Sequence, residues 1–413
     1  MSEETLAAPP VQVLRGDCLE VLSRFPDAHF HAVVTDPPYG LSEPLVGEEA
    51  AEVLAAWIAE GVHVRTKGRK KPAKPEGTDA TSRLAGGGFM GHSWDAFVPG
   101  PRVWAEVLRV LKPGGYALVA GGTRTVGWLE MALMLAGFEV LDRITWHYAE
   151  GFPKGGNAGE RVDEHRGAER GVIGLHPSPA RNKTTDAARF NHSEGEATIK
   201  APATAEGAIY DDTSTTLKPA REPWIVARRP LSEKNVAVNL LKWRTGVLNI
   251  GACRIVSDET TRRSNKADLG YMGGLSAAGV GYETGSDAGR WPANVMFSHA
   301  EGCEDGACVR GCPVRELDEQ SGTTKSNKNR VERGKGGIGG AGDGVYMGTS
   351  GVDAHIPAGP QYGDTGGASR FFFSAKASPK DRREGLPEDL PREREHKTVK
   401  PVPLMRELVR LVC

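Results

Sequence analysis

The chain has 413 residues, and its 52 Lys and Arg against 53 Asp and Glu give a formal net charge of −1, so it is no polycation and any nucleic-acid surface must be a local patch. That length allows one large domain with insertions or two domains, and the lack of a secretory core or long apolar span points to a soluble cytoplasmic protein that does not engage membranes. Six unevenly spread cysteines do not make a secreted disulfide framework.

Residues 11–17 (VQVLRGD) predict a short strand, and residues 18–24 a helix with Leu19, Val21 and Leu22 on one side. Asp17 stands at the junction, in the position of a helix N-cap. Residues 30–41 (FHAVVTDPPYGL) begin with Phe30, Ala32, Val33 and Val34, the composition of a buried strand, and break off at Asp36-Pro37-Pro38-Tyr39. Two consecutive prolines force the chain out of the sheet, and in an open α/β sheet that exit is where ligands bind.

These four residues suit one chemistry. The exocyclic amine of adenine or cytosine is a poor nucleophile because its lone pair is delocalised into the ring. Hydrogen bonds from the amine to the Asp36 carboxylate and the Pro37 carbonyl favour a pyramidal nitrogen that can attack. Proline fixes φ, so the acceptor carbonyl is held in advance, and Pro38 stiffens the loop. Tyr39 offers a face for an extruded base. The plainer alternative is that the tetrapeptide only terminates a strand.

Residues 43–86 read as an insertion, with an amphipathic helix over 48–62. The basic run 65–74 (RTKGRKKPAK) either contacts phosphate or is a solvated tail. After GFMGHSWD (88–95), a helix over 101–111 is stopped by Lys112-Pro113-Gly114-Gly115. A strand over 116–120, a helix over 127–136 and a strand over 138–148 complete an αβαβ alternation, the pattern of a doubly wound sheet. Residues 151–220 predict a flexible polar insertion, and EPWIVARRP (222–230) a returning strand near the sheet edge. From 245 to 378 the chain is Gly-rich, with Arg and Lys interleaved among Trp291, Phe371, Phe372 and Phe373, suited to phosphate contact and base stacking or to ordinary core.

Within that region His299, Cys303, Cys308 and Cys312 form H-x3-C-x4-C-x3-C. Thiolates with an imidazole at close spacing match tetrahedral zinc, which would pin a loop region lacking a core. The alternative is a set of reduced surface cysteines beside a polar histidine. Any metal here would be structural. A final helix spans 402–412, with Leu404, Leu408 and Leu411 stacked.

TDPPY, with GDCLEVL before it, LKPGG after it and HKTVKPVPLMRELVRL near the end, resembles the amino-group DNA methyltransferases, specifically the β class in which the target-base motif precedes the cofactor motif. The resemblance covers most of the chain in scattered blocks. It implies an α/β, Rossmann-like, doubly wound sheet for methyl transfer from S-adenosylmethionine to an exocyclic amine of double-stranded DNA, with adenine N6 favoured by the leading Asp and cytosine N4 the alternative. It assigns catalysis to Asp36, Pro37, Pro38 and Tyr39, and cofactor binding to Asp17, Lys400 and Pro401. The implied layout is a core over 1–150, the polar insertion, a core strand and helix over 221–250, a target-recognition region over 251–370 with the zinc candidate, and a core segment over 371–413. No Phe-x-Gly-x-Gly cofactor loop occurs, so the sheet is expected to be incomplete, with a second chain as one possible supplier of the missing segment. An inactive DNA-binding relative, and an RNA or protein amine methyltransferase, are the other readings.

Overall fold

The computed structural model describes residues 11–40, 45–59, 97–149, 155–175, 198–256, 263–265, 282–284, 289–300, 302–304, 307–325, 365–376 and 399–413. The basic run 65–74 and the segment 88–95 lie outside them. No helix among the described residues is long and apolar enough to cross a membrane.

Two compact units are present, one formed by Met1–Leu248 with Leu404–Cys413 and the other by Asn249–Pro403. The first unit begins with α1 (Cys18–Leu22), β1 (Phe30–Thr35), α2 (Gly47–Ala59), α3 (Pro101–Val110), β2 (Leu111–Ala120), α4 (Val126–Ala136) and β3 (Glu139–His147). It continues with α5 (Ala158–His165), β4 (Val172–Leu175), β5 (Thr198–Lys200), α6 (Ala205–Ile209), β6 (Arg221–Arg228) and α7 (Val236–Trp243). Parallel pairing joins β1 to β2, whereas β6 pairs antiparallel with both β2 and β3. Three strands therefore run one way with β6 set against them, an α/β sheet with helices α3, α4 and α7 packed nearby.

The returning strand expected at the sheet edge is instead interior. Residues 222–227, all buried, alternate nothing because both faces of β6 are covered. Conversely, β1, expected to be buried, is only partly so, since β2 is its one ladder partner among the described residues. Residues 11–16 form no strand: Val11 is 93% and Val13 91% exposed. A strand needs a ladder to join, and an alternating pattern without one stays coil.

Trp57, Trp104, Leu111, Leu129, Leu133 and Ile225 centre the hydrophobic core between helices and sheet. The Trp57 and Trp128 rings meet edge-on at 5.5 Å. Two arginines tie helix ends to their neighbours. Arg109 donates to the carbonyls of Leu22 (3.0 Å) and Phe25 (2.9 Å) after α1, while Arg229 donates to those of Leu108 (3.0 Å) and Arg109 (3.1 Å) at the end of α3. Cations at carbonyl-rich C-termini satisfy orphan acceptors and oppose the helix dipole.

Lys112–Gly115 does not act as a separate stop, because α3 has already ended at Val110 and these residues belong to β2, with a register shift opposite β1. Gly114 has φ +83°, and a Cβ there would stand 2.6 Å from Asn239 Nδ2. Asn239 is fully buried and donates to the carbonyls of Pro113 and Thr245, each at 2.9 Å. Gly114→Ala is expected to cost about 3 kcal/mol through backbone strain and loss of these bonds. A urea melt followed by tryptophan emission reads it, and an unshifted midpoint would show that Asn239 can yield.

The region expected to be a flexible polar insertion is ordered over its described parts. Helices α5 and α6 pack together, and β4 pairs antiparallel with β5. Their centre is Asp163, whose carboxylate is 1% exposed. It accepts hydrogen bonds from the Ala203 and Thr204 amides (3.0 Å each), the Thr204 hydroxyl (2.5 Å) and Arg170 Nε (2.6 Å). Arg170 also reaches Asp211 at 2.8 Å. A polar network thus replaces an apolar core, which is why hydrophobic periodicity did not show it.

The second unit contains two short antiparallel pairs, β7 (Arg263–Asn265) with β8 (Tyr282–Thr284) and, further on, β10 (Thr324–Lys325) with β11 (Thr365–Gly366). Between them stand β9 (Val295–His299) and α8 (Pro313–Ser321), and β12 (Phe373–Lys376) pairs parallel with β9. The chain then returns to the first unit as α9 (Val402–Val412), burying Leu404, Leu408 and Leu411 as the spacing predicts.

Candidate functional site

The carboxyl end of β1 delivers Asp36, Pro37, Pro38 and Tyr39 as one continuous turn out of the sheet. Asp36 is exposed, the two prolines and Tyr39 are half-buried, and Gly40 is buried. Gly40 has φ +64°, and a Cβ would lie 3.0 Å from both Phe97 Cα and Val98 N, so only glycine lets the turn press against that segment. From the N-terminus of α4, the Thr125 hydroxyl donates a short hydrogen bond to the Tyr39 carbonyl.

Beside Tyr39 stands a residue that sequence reasoning missed. Its titration is pushed far above the usual phenol range, first by burial, then by the nearby carboxylates of Glu222 and Asp36. Glu222 lies on β6 and is 9% exposed. The interior position of β6 therefore brings a second acid to the turn. A carboxylate opening an otherwise apolar strand (EPWIVA) was its only signal, and sequence alone did not say which strand it would face. Tyr39 keeps its proton, so the site holds acceptors at Asp36, at Glu222 and on the proline carbonyls.

The residues assigned to a cofactor are placed differently. Asp17 is exposed and accepts from the amides of Leu19 (2.9 Å) and Glu20 (3.4 Å), which makes it the N-cap of α1. Lys400 and Pro401, both half-buried, lie just ahead of α9 and fall in the second unit.

His299, Cys303, Cys308 and Cys312 come together, with their ligand atoms all within 4.8 Å of one another. Elsewhere in that unit, basic and aromatic side chains pair with each other. Arg254 sits over Trp291 at 5.5 Å, and Arg290 and Arg370 sit over Phe371 at 4.9 and 4.1 Å. Phe372 meets Phe297 edge-on at 5.4 Å. Trp291 is 66% exposed, whereas Phe371 to Phe373 are half-buried.

Residues 30–166 match a family model for DNA methylase of the N6/N4 type. No curated protein matches the chain. Among solved structures, a putative DNA modification methylase of Thermus thermophilus (TTHA0409) aligns at 18% identity and TM-score 0.21, over 54% of each chain. The same protein complexed with S-adenosyl-L-methionine aligns at 19% identity and TM-score 0.20, over 54% of this chain and 56% of that one. M1.HpyAVI in complex with SAM aligns at 13% identity and TM-score 0.20, over 55% of this chain and 60% of that one. The chain spans little more than half the length of these proteins, and at scores this low they carry no argument. The likeness of this chain to the DNA methylases is the match over residues 30–166.

Proposed function

We propose that the chain methylates an exocyclic base amine in double-stranded DNA, at adenine N6, with S-adenosylmethionine as methyl donor. The observation that supports this reading is an exposed Asp36 carboxylate on a proline-stiffened turn at the carboxyl end of β1. Asp36 would accept one amine hydrogen and the Pro37 carbonyl the other, drawing the nitrogen lone pair out of conjugation. Tyr39, fixed at its carbonyl by Thr125 and with the two acids near its phenol, would pack against the extruded base. The donor supplies an electrophilic methyl on sulfur, so the protein's part is positioning and electrostatics, without a covalent intermediate. For the donor side the candidates are Asp17, which also caps α1 through one carboxylate oxygen, and Lys400 and Pro401 ahead of α9.

Incubating the full chain with duplex DNA and methyl-labelled S-adenosylmethionine, followed by nucleoside analysis, tests the proposal. Label in N6-methyldeoxyadenosine is the expected result. Label in N4-methyldeoxycytidine would overturn the adenine assignment, and DNA binding without label would make the chain a binding module.

A further inference from the structure

We infer that His299, Cys303, Cys308 and Cys312 hold one structural zinc ion. The site lies wholly within the second unit and shares no residue with the turn after β1. In a tetrahedral zinc complex, Zn–S of about 2.3 Å and Zn–N of about 2.0 Å place a sulfur about 3.5 Å from the nitrogen and two sulfurs about 3.8 Å apart. Here the Cys308 and Cys312 sulfurs lie 3.3 and 3.6 Å from His299 Nδ1. All four ligand atoms fit within 4.8 Å. A disulfide would bring two sulfurs to about 2 Å, and all three cysteines are free thiols.

The backbone is shaped around the sulfurs. Glu304 and Ala307 exchange two hydrogen bonds (2.9 and 3.1 Å), an antiparallel bridge that joins the two sides of the knuckle just inside Cys303 and Cys308. The Val309 amide donates to Cys303 Sγ at 3.4 Å. Three thiolates around a divalent ion leave one excess negative charge, and such N–H groups offset it. Cys312 is fully buried at the N-cap of α8, and Cys303 is 7% exposed. Among the described residues, their apolar surroundings are Val314, Phe297, Ala300 and Cys308. So small a cluster makes a weak core, and a metal supplies what it lacks.

Four protein ligands leave no open position, so the ion is structural and not catalytic. It would join the end of β9 to the start of α8. Asp318 of α8 in turn accepts from the Ser369 amide and hydroxyl, both at 2.7 Å, just ahead of β12, which pairs back onto β9. The zinc would therefore close a ring of β9, knuckle, α8 and β12.

Metal content of the purified full chain, measured by plasma emission, is expected to be one zinc per chain. Cys303→Ser and Cys312→Ser are each expected to retain below about a tenth of an equivalent. Because those variants could fail to fold, cobalt(II) is also titrated into the chelated wild-type chain. Ligand-field bands of tetrahedral thiolate-bound cobalt, saturating at one equivalent and bleached by zinc, support the site. Absence of both zinc and cobalt bands, or alkylation mass spectrometry showing a disulfide among these cysteines in chain purified under reducing conditions, would overturn it.

Discussion

Asp36→Ala is expected to reduce methyl transfer by at least about a hundredfold in single-turnover assays, the scale on which removing one preorganised polar group from a reacting centre is felt. The carboxylate is exposed, so its loss leaves no hole in the core and the variant should melt with the wild type. DNA affinity should change little, because it comes mostly from phosphate contacts, to which a carboxylate adds nothing. Asp36→Asn keeps one acceptor oxygen and exchanges the other for a donor, so it should fall between the two. A wild-type rate in Asp36→Ala would remove the acid from the chemistry. A parallel collapse of rate and DNA binding would instead make Asp36 a structural residue.

Asp163→Ala is expected to unlock the segment built by α5, β4, β5 and α6. Its carboxylate is pulled down to about 2, first by the Thr204 hydroxyl and the Ala203 amide, with Arg170 contributing further. A group whose folded pKa lies below its unfolded value stabilises the folded form above the unfolded pKa. That contribution is complete above about pH 4 and fades as pH falls toward about 2. Acidification across this window should therefore loosen the segment in the wild-type chain, whereas the variant should already be loose at neutral pH. Hydrogen exchange at 155–175 and 198–216 is expected to accelerate at least about tenfold in the variant, with β2 and β6 retaining protection. Unchanged exchange in that segment would mean that the Arg170–Asp211 pair holds it without Asp163.

Much of the local structure was legible. The bounds of α3, α4, β3 and α9 follow from apolar spacing: α9 matches expectation at both ends, and the other three differ by one residue at one end or both. The tetrad spacing brought four ligand atoms together, and the strand-to-turn break at Asp36 fell where two prolines require it. What escaped depends on partners far away in the chain. Nothing in EPWIVARRP distinguishes an edge strand from an interior one, and with that position went the facing of Glu222 toward Tyr39. Residues 11–16 look like a strand but have no ladder, and Gly114 looks like a helix stop but yields to Asn239. The network at Asp163 is read only from hydrogen bonds, since polar residues carry no periodic mark.

The place of β6 has a consequence for how the protein is made. A ribosome releases β1 and β2 early and β3 soon after, yet the strand that joins β2 to β3 emerges only with residues 221–228. Until then the nascent chain carries two unfinished ladders with nothing between them, exposed to chaperones and to neighbouring polysomes. Slowing translation just before codon 221 should lengthen that vulnerable interval.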